Sequence, residues 1–90
     1  MKTIHLGNGA ECTIHEGGTK YWFLNGKFHR TDGPACEYSN GDKSWYLYGK
    51  CHRTDGPACE WISGSKYWYL NGIQYSEEDF DMAKEFLWAL

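Results

Sequence analysis

Ninety residues with a net charge of −3 suffice for one small domain and leave little room for a large buried core. The charge is uneven: residues 77–85 hold five acids against Lys84, and the remainder is nearly neutral with no basic stripe to track a phosphate backbone, which argues against nucleic acid. A charged-then-apolar leader and an apolar run of about 18 residues are both missing, so the reading is a cytoplasmic chain without a membrane anchor.

Along the chain, a degenerate unit spans residues 1–19, where Gly9-Ala-Glu-Cys12 echoes Gly33-Pro-Ala-Cys36 and Gly17-Gly18 supplies a turn. The distance from cysteine to tryptophan is one residue longer in this unit, which predicts a bulge or a looser turn. Two full repeats follow at 20–42 and 43–65, then a half repeat at 66–75. They align on Trp22, Trp45 and Trp68, in Lys20-Tyr-Trp-Phe-Leu-Asn-Gly-Lys, Lys43-Ser-Trp-Tyr-Leu-Tyr-Gly-Lys and Lys66-Tyr-Trp-Tyr-Leu-Asn-Gly-Ile. Each aromatic run ends in Asn-Gly or Tyr-Gly, a strong hairpin signal, and further turns fall at Asn40-Gly41 and Ser63-Gly64. The string His29-Arg-Thr-Asp-Gly-Pro-Ala-Cys-Glu37 recurs 23 residues later as His52-Arg-Thr-Asp-Gly-Pro-Ala-Cys-Glu60. A fixed period of this kind marks a stack of small supersecondary units. The expected fold is mainly β, an antiparallel meander of about seven strands built from 23-residue hairpin repeats.

Register counted from the two-residue turns sets two faces. Trp22, Trp45, Trp68, Leu24, Leu47, Leu70, the paired histidines, Cys36 and Cys59 fall on the face expected to be the core. Tyr21, Phe23, Phe28, Tyr46, Tyr67 and Tyr69 fall on the other, with Arg30 and Arg53 beside them and Cys51 in the place of Phe28. The Trp/Leu side needs a cover. Ser76-Glu-Glu-Asp79 reads as a helix start, and Phe80, Ala83, Leu87 and Leu90 follow at helical spacing, widened by Met82 and Phe86. A capping helix over 76–90 is therefore expected on the last hairpin. It is shorter than the meander is wide, which leaves sheet curvature or a second copy, a homodimer, to cover the rest.

An aromatic strand, Asn-Gly-Lys and a short Gly-containing connection at period 23 resemble the MORN (membrane occupation and recognition nexus) repeat over residues 20–75. The chain departs from that pattern in its Lys-x-Trp-x-Leu strand and its Arg-Thr-Asp-Gly-Pro-Ala insert. The variant with His-Arg-x-Asp-Gly-Pro-Ala is similar to repeat proteins common in tailed bacteriophage and bacterial genomes. The lipid binding proposed for MORN proteins does not carry over, because this chain is acidic and lacks a basic membrane patch.

The duplicated string admits two readings. Arg30 with Asp32, and Arg53 with Asp55, can grip a ligand phosphate or carboxylate, with His29 and His52 as acid and base. Alternatively Asp-Gly-Pro is a turn and the arginine pairs with the aspartate, and perfect duplication favours this scaffold reading. Cys12, Cys36 and Cys59, taken as equivalent positions, are too far apart for a disulfide or a shared zinc, so no metal and no cofactor are expected. No serine or cysteine has a relay partner, so the chain is read as non-enzymatic. Tyr21, Phe23, Tyr46, Tyr67 and Tyr69, with Arg30 and Arg53, match the composition of protein-interface anchors. The same set suits a second core face if the sheet curls or stacks. The resemblance implies a small phage accessory protein that inhibits a host defence component by surface occlusion. A nucleotide-binding sponge using the Arg/Asp loops and a structural homo-oligomer are the alternatives.

Overall fold

The computed structural model describes the backbone of residues 1–89 and the side chains of 1–86. Four two-residue turns shape it, at Asn8-Gly9, Asn25-Gly26, Tyr48-Gly49 and Asn71-Gly72. In each, the first residue sits at φ 49–55° and the glycine at 82–84°. Positive φ at both central residues is the type I′ geometry, whose twist matches that of paired strands. Each turn joins two antiparallel strands: β1 (Lys2–Gly7) to β2 (Ala10–Ile14), β3 (Lys20–Leu24) to β4 (Lys27–Phe28), β7 (Tyr46–Leu47) to β8 (Lys50–Cys51), and β10 (Lys66–Leu70) to β11 (Ile73–Tyr75).

Three short strands complete the set: β5 (Cys36–Glu37), β6 (Lys43–Ser44) and β9 (Cys59–Glu60). The main sheet runs β1-β2-β3-β5-β6-β9-β10-β11, with β4 also on β3 and the β7–β8 hairpin outside this path. The architecture is thus the expected antiparallel meander. Its strands number eleven and not about seven: the Asp-Gly-Pro loops separate β4 from β5 and β8 from β9, and Trp45 separates β6 from β7. Thus β3 pairs through Leu24 and Phe23 with β4, and through Tyr21 and Lys20 with β5. The molecule measures 40 × 33 × 16 Å, a single layer. Its surface of 5988 Å² exceeds the about 5400 Å² of a typical monomer of this mass, as a flat shape requires.

A second kind of turn repeats three times. The N–H of His15, Tyr38 and Trp61 donates to the carbonyl of Thr19, Asp42 and Ser65, and the N–H of Gly18, Gly41 and Gly64 donates back to His15, Tyr38 and Trp61. The first unit therefore closes with the same turn as the others. Its strand pairing is regular from Ala10↔Leu24 to Ile14↔Lys20, so neither the expected bulge nor a looser turn lies between Cys12 and Trp22, and the irregularity lies in β1–β2 between His5 and Gly7. Cys12 opposes Trp22, whereas Cys36 opposes Tyr21, so Cys12 occupies the place of Ala35 and its echo of Cys36 is a coincidence of sequence.

The faces also need correction. Cys36 and Cys59 both oppose Ser44, and Cys59 opposes Tyr67, so these two cysteines lie on the tyrosine face and not among the tryptophans. Buried side chains among those described are few: Cys12, Ala35, Cys36, Ser44, Ala58, Cys59, Leu70 and Phe80. Trp22, Trp45 and Trp68 are only half-buried.

The C-terminal cap forms as expected, with a shorter α-helical part. The Ser76 hydroxyl accepts the Asp79 N–H at 3.1 Å, and Glu77, Glu78 and Asp79 place negative charge at the positive end of α1 (Glu77–Ala83). A 3₁₀ stretch continues from Lys84 to Ala89. The helix rests on β10 and β11, where Leu70 and Phe80 are buried. Leu87 and Leu90, expected on its apolar side, lie outside the described side chains. Among the described residues, no helix is long and apolar enough to cross a membrane.

Candidate binding face and the duplicated loop

The duplicated string is a connector, and nearly every residue in it has a structural partner. The His29 N–H donates to the Trp22 carbonyl at 3.0 Å, closing the hairpin. The next residue leaves the strand: the Arg30 N–H donates to the Tyr46 carbonyl in the following repeat, and Tyr21 pairs with Cys36 where simple counting would have placed Arg30. The guanidinium then folds back over the Trp22 ring at 3.8 Å. Its Nε donates to Asp32 at 2.9 Å, and its Nη1 donates to the Pro34 carbonyl at 3.1 Å and to Glu37 at 3.0 Å. Arg53 repeats the arrangement over Trp45 at 3.8 Å, with Asp55 at 2.8 Å, the Pro57 carbonyl at 3.0 Å and Glu60 at 2.8 Å. Gly33 leaves room for this packing, since a Cβ there would stand 3.0 Å from the Arg30 Cζ.

The histidines tie one repeat to the next. His29 Nδ1 accepts the Tyr48 N–H at 3.0 Å, and His52 Nδ1 accepts the Asn71 N–H at 2.9 Å. Each ring thereby receives a donor from the turn of the following hairpin, which fixes the proton on Nε2. Burial lowers the His52 pKa below the ordinary imidazole value. Arg30 and Arg53 pull Asp32 and Asp55 below the usual carboxylate range.

A groove of about 600 Å³ separates the two loops, lined by Arg30 to Gly33, Trp45, Leu47 and His52 to Asp55. Each arginine in it already meets two carboxylates, so each loop is net negative. That charge disfavours a phosphate guest. The scaffold reading of the string accounts for the geometry.

The residues expected to bind divide between two faces. Tyr21, Phe23, Tyr46, Tyr67 and Tyr69 share one face, but Arg30 and Arg53 lie on the other, over the tryptophans, together with Glu37 and Glu60. The aromatic face is a continuous row over its first half. Ring centroids stand 5.5 Å apart for Tyr21 and Phe28, 5.0 Å for Phe23 and Phe28, and 5.3 Å for Phe28 and Tyr46. The row includes residues the sequence reading left out of the site. Tyr38 stands edge-on to Tyr21 at 5.9 Å, and Trp61 lies 6.4 Å from Tyr67. The 23-residue period would have found them, since His15, Tyr38 and Trp61 are equivalent and His15 also packs on Tyr21 at 5.2 Å.

Cys51 is on this same face, opposite Tyr46, where Phe28 stands in the preceding repeat. It faces Cys59 across 3.7 Å between sulfurs, so the expectation that they point to opposite sides is corrected. The error came from carrying strand alternation through a loop that is not strand.

No protein-family model, curated protein or solved structure matches the chain.

Proposed function

We propose that the chain is a non-enzymatic protein-binding module that docks through its aromatic face. The observation that carries this reading is the row Tyr21, Phe23, Phe28, Tyr46 and Tyr38, with contacting ring centroids 5.0–5.9 Å apart yet only half-buried or exposed on a single-layer sheet. Tyrosine and phenylalanine of this kind supply large contact area at low entropic cost and anchor protein interfaces. The sheet lies within extents of 40 × 33 Å, wide enough to hold a patch of the about 800 Å² per partner of a standard interface.

The resemblance of its repeats to those of tailed bacteriophage proteins supports a bacterial host protein as the partner class and occlusion of a defence component as the mode of action. The engagement of both His Nδ1 atoms by backbone N–H groups supports a structural and not an acid–base role for these rings.

The test is capture from a bacterial lysate on the immobilised chain. A host protein held by the wild type and released by Tyr46→Ala with Tyr69→Ala, at unchanged circular dichroism, supports the reading. A partner still held by that double variant overturns the choice of face.

A further inference from the structure

We propose that Cys51 and Cys59 form an oxidisable dithiol that closes to an intramolecular disulfide with a hydroperoxide as oxidant. Their sulfurs lie 3.7 Å apart on β8 and β9, which flank the β6–β7 segment on one side. A disulfide needs about 2.05 Å, so closure requires a further approach of about 1.7 Å. The Cys51 backbone is held by its pairing with Tyr46 and by the Gly72 N–H on its carbonyl at 2.9 Å, so the approach falls to the two side chains.

The pair belongs to one repeat alone. At the position of Cys51 the preceding repeat has Phe28 and the following half repeat has Gln74, so the fold does not require sulfur there. Cys36, the counterpart of Cys59, consequently has no second thiol at the equivalent place. The dithiol also interrupts the aromatic row: Cys51 opposes Tyr46 and Cys59 opposes Tyr67.

The hydrogen bond from the Cys51 thiol holds the Cys59 pKa down to about 7 against the opposing effect of burial, while Cys51 retains its proton. A thiolate is the nucleophilic form. Burial pushes Cys36 up to about 11 and raises Cys12, which keeps both protonated.

In the first step the Cys59 thiolate attacks one peroxide oxygen and the O–O bond breaks. Cys59 becomes a sulfenic acid, and the departing alkoxide or hydroxide takes a proton from solvent. The Cys51 sulfur then attacks the Cys59 sulfur, and the hydroxyl leaves as water with the Cys51 proton. Two thiols lose two electrons, and the hydroperoxide is reduced to one alcohol, or water, and one water. Cys59 is 8% exposed and its sulfur adjoins the half-buried Cys51, so a small hydroperoxide reaches it from the Cys51 side.

The experiment exposes the reduced isolated chain to hydrogen peroxide, then counts thiols and maps peptides by mass spectrometry. Trypsin cleaves after Lys50, Arg53 and Lys66, so the two cysteines separate onto different peptides unless joined. The expected result is loss of two of the four thiols, a fall of about 2 Da, and one linkage, Cys51 to Cys59. Cys51→Phe, which copies Phe28 of the preceding repeat and removes the hydrogen bond that lowers the Cys59 pKa, should leave Cys59 reduced at the same peroxide dose, as Cys36 is. Retention of all four thiols at a peroxide dose that oxidises glutathione overturns the proposal. So does a linkage to Cys12 or Cys36, or one formed only between molecules. The mapping on the wild type decides the matter even if Cys51→Phe does not fold.

Discussion

Arg30 and Arg53 cover Trp22 and Trp45 at 3.8 Å, the position that an apolar second layer takes in a two-layer β protein. Their side chains are only 20% and 19% exposed, so stacking and hydrogen bonding act with partial shielding from water. Arg53→Ala removes the stack, both ion pairs and the bond to Pro57, and should cost about 1–3 kcal/mol in a urea titration. Arg53→Lys should recover little of this, because an ammonium cannot reproduce the planar fork. Gly56→Ala tests the same contact from below, since its Cβ would lie 3.1 Å from the Arg53 Cζ. In a double-mutant cycle, Gly56→Ala should destabilise the wild type and do much less harm in the Arg53→Ala background. Equal effects in both backgrounds would mean that the guanidinium does not occupy this space. His52 supplies a pH dependence of defined sign. Its folded pKa is lowered by burial, so the unfolded chain binds the proton first, and stability present above about pH 6.5 is lost as the pH falls. The lowered carboxyls of Asp32 and Asp55 add a second loss of the same sign further into acid. His52→Asn keeps an acceptor for the Asn71 N–H without a titrating ring. The variant should therefore show a smaller drop in Tm between pH 7 and pH 5 than the wild type.

At the level of the element, the turns show where backbone geometry governs the sequence. Three of the four type I′ turns place asparagine first, as positive φ favours, but the third places Tyr48 at φ 50°. Tyr48 is 66% exposed, so little burial offsets the left-handed conformation, although its ring lies 4.3 Å from His29. Tyr48→Asn should stabilise the chain by about 0.5–1 kcal/mol, a rise of several degrees in Tm. A fall in Tm would show that the His29 contact outweighs the backbone term. The last three of these turns, and those at Asn40-Gly41 and Ser63-Gly64, were legible in the sequence because such pairs act locally, as was the helix start at Ser76, whereas Asn8-Gly9 was overlooked. What lies beyond His29 was not legible. Alternation predicts faces only while the chain remains a strand, and at Arg30 the backbone donates to Tyr46 and exits. For this reason five of the seven predicted binding residues share a face and the two arginines do not. Cys36 and Cys59 were misplaced by the same step, and with them the contact between Cys51 and Cys59. Tyr38 and Trp61 were missed for another reason. Their equivalence with His15 appears only in the 23-residue alignment, and a match between Cys12 and Cys36 shifts that alignment by one.

For the whole molecule, the bonds between repeats recur with the period of the chain, which makes the sheet quasi-one-dimensional. Thr19 Oγ1 accepts the Ser39 N–H, and Asp42 Oδ1 accepts the Ile62 N–H. Across the other face, lysine and glutamate alternate from strand to strand: Lys20 opposes Glu37, Glu37 opposes Lys43, Lys43 opposes Glu60, and Glu60 opposes Lys66. Such a ladder favours adding or removing whole units, because opposite charges face each other only at this spacing. Excision of residues 43–65 joins Asp42 to Lys66. Lys66 then opposes Glu37 as Lys43 did, Tyr67 takes the place of Ser44 against Cys36, and His29 meets Asn71 where it met Tyr48. The capped last hairpin and the N-terminal strands remain. The shortened chain should therefore fold with a β-rich circular dichroism spectrum and a cooperative melt at lower Tm, having lost one set of inter-repeat bonds and the Arg53 stack. Excision of residues 43–60, which is not a whole period, brings Trp61 where Lys43 stood and should leave the chain unfolded. If both deletions melt alike, stability does not reside in the periodic contacts.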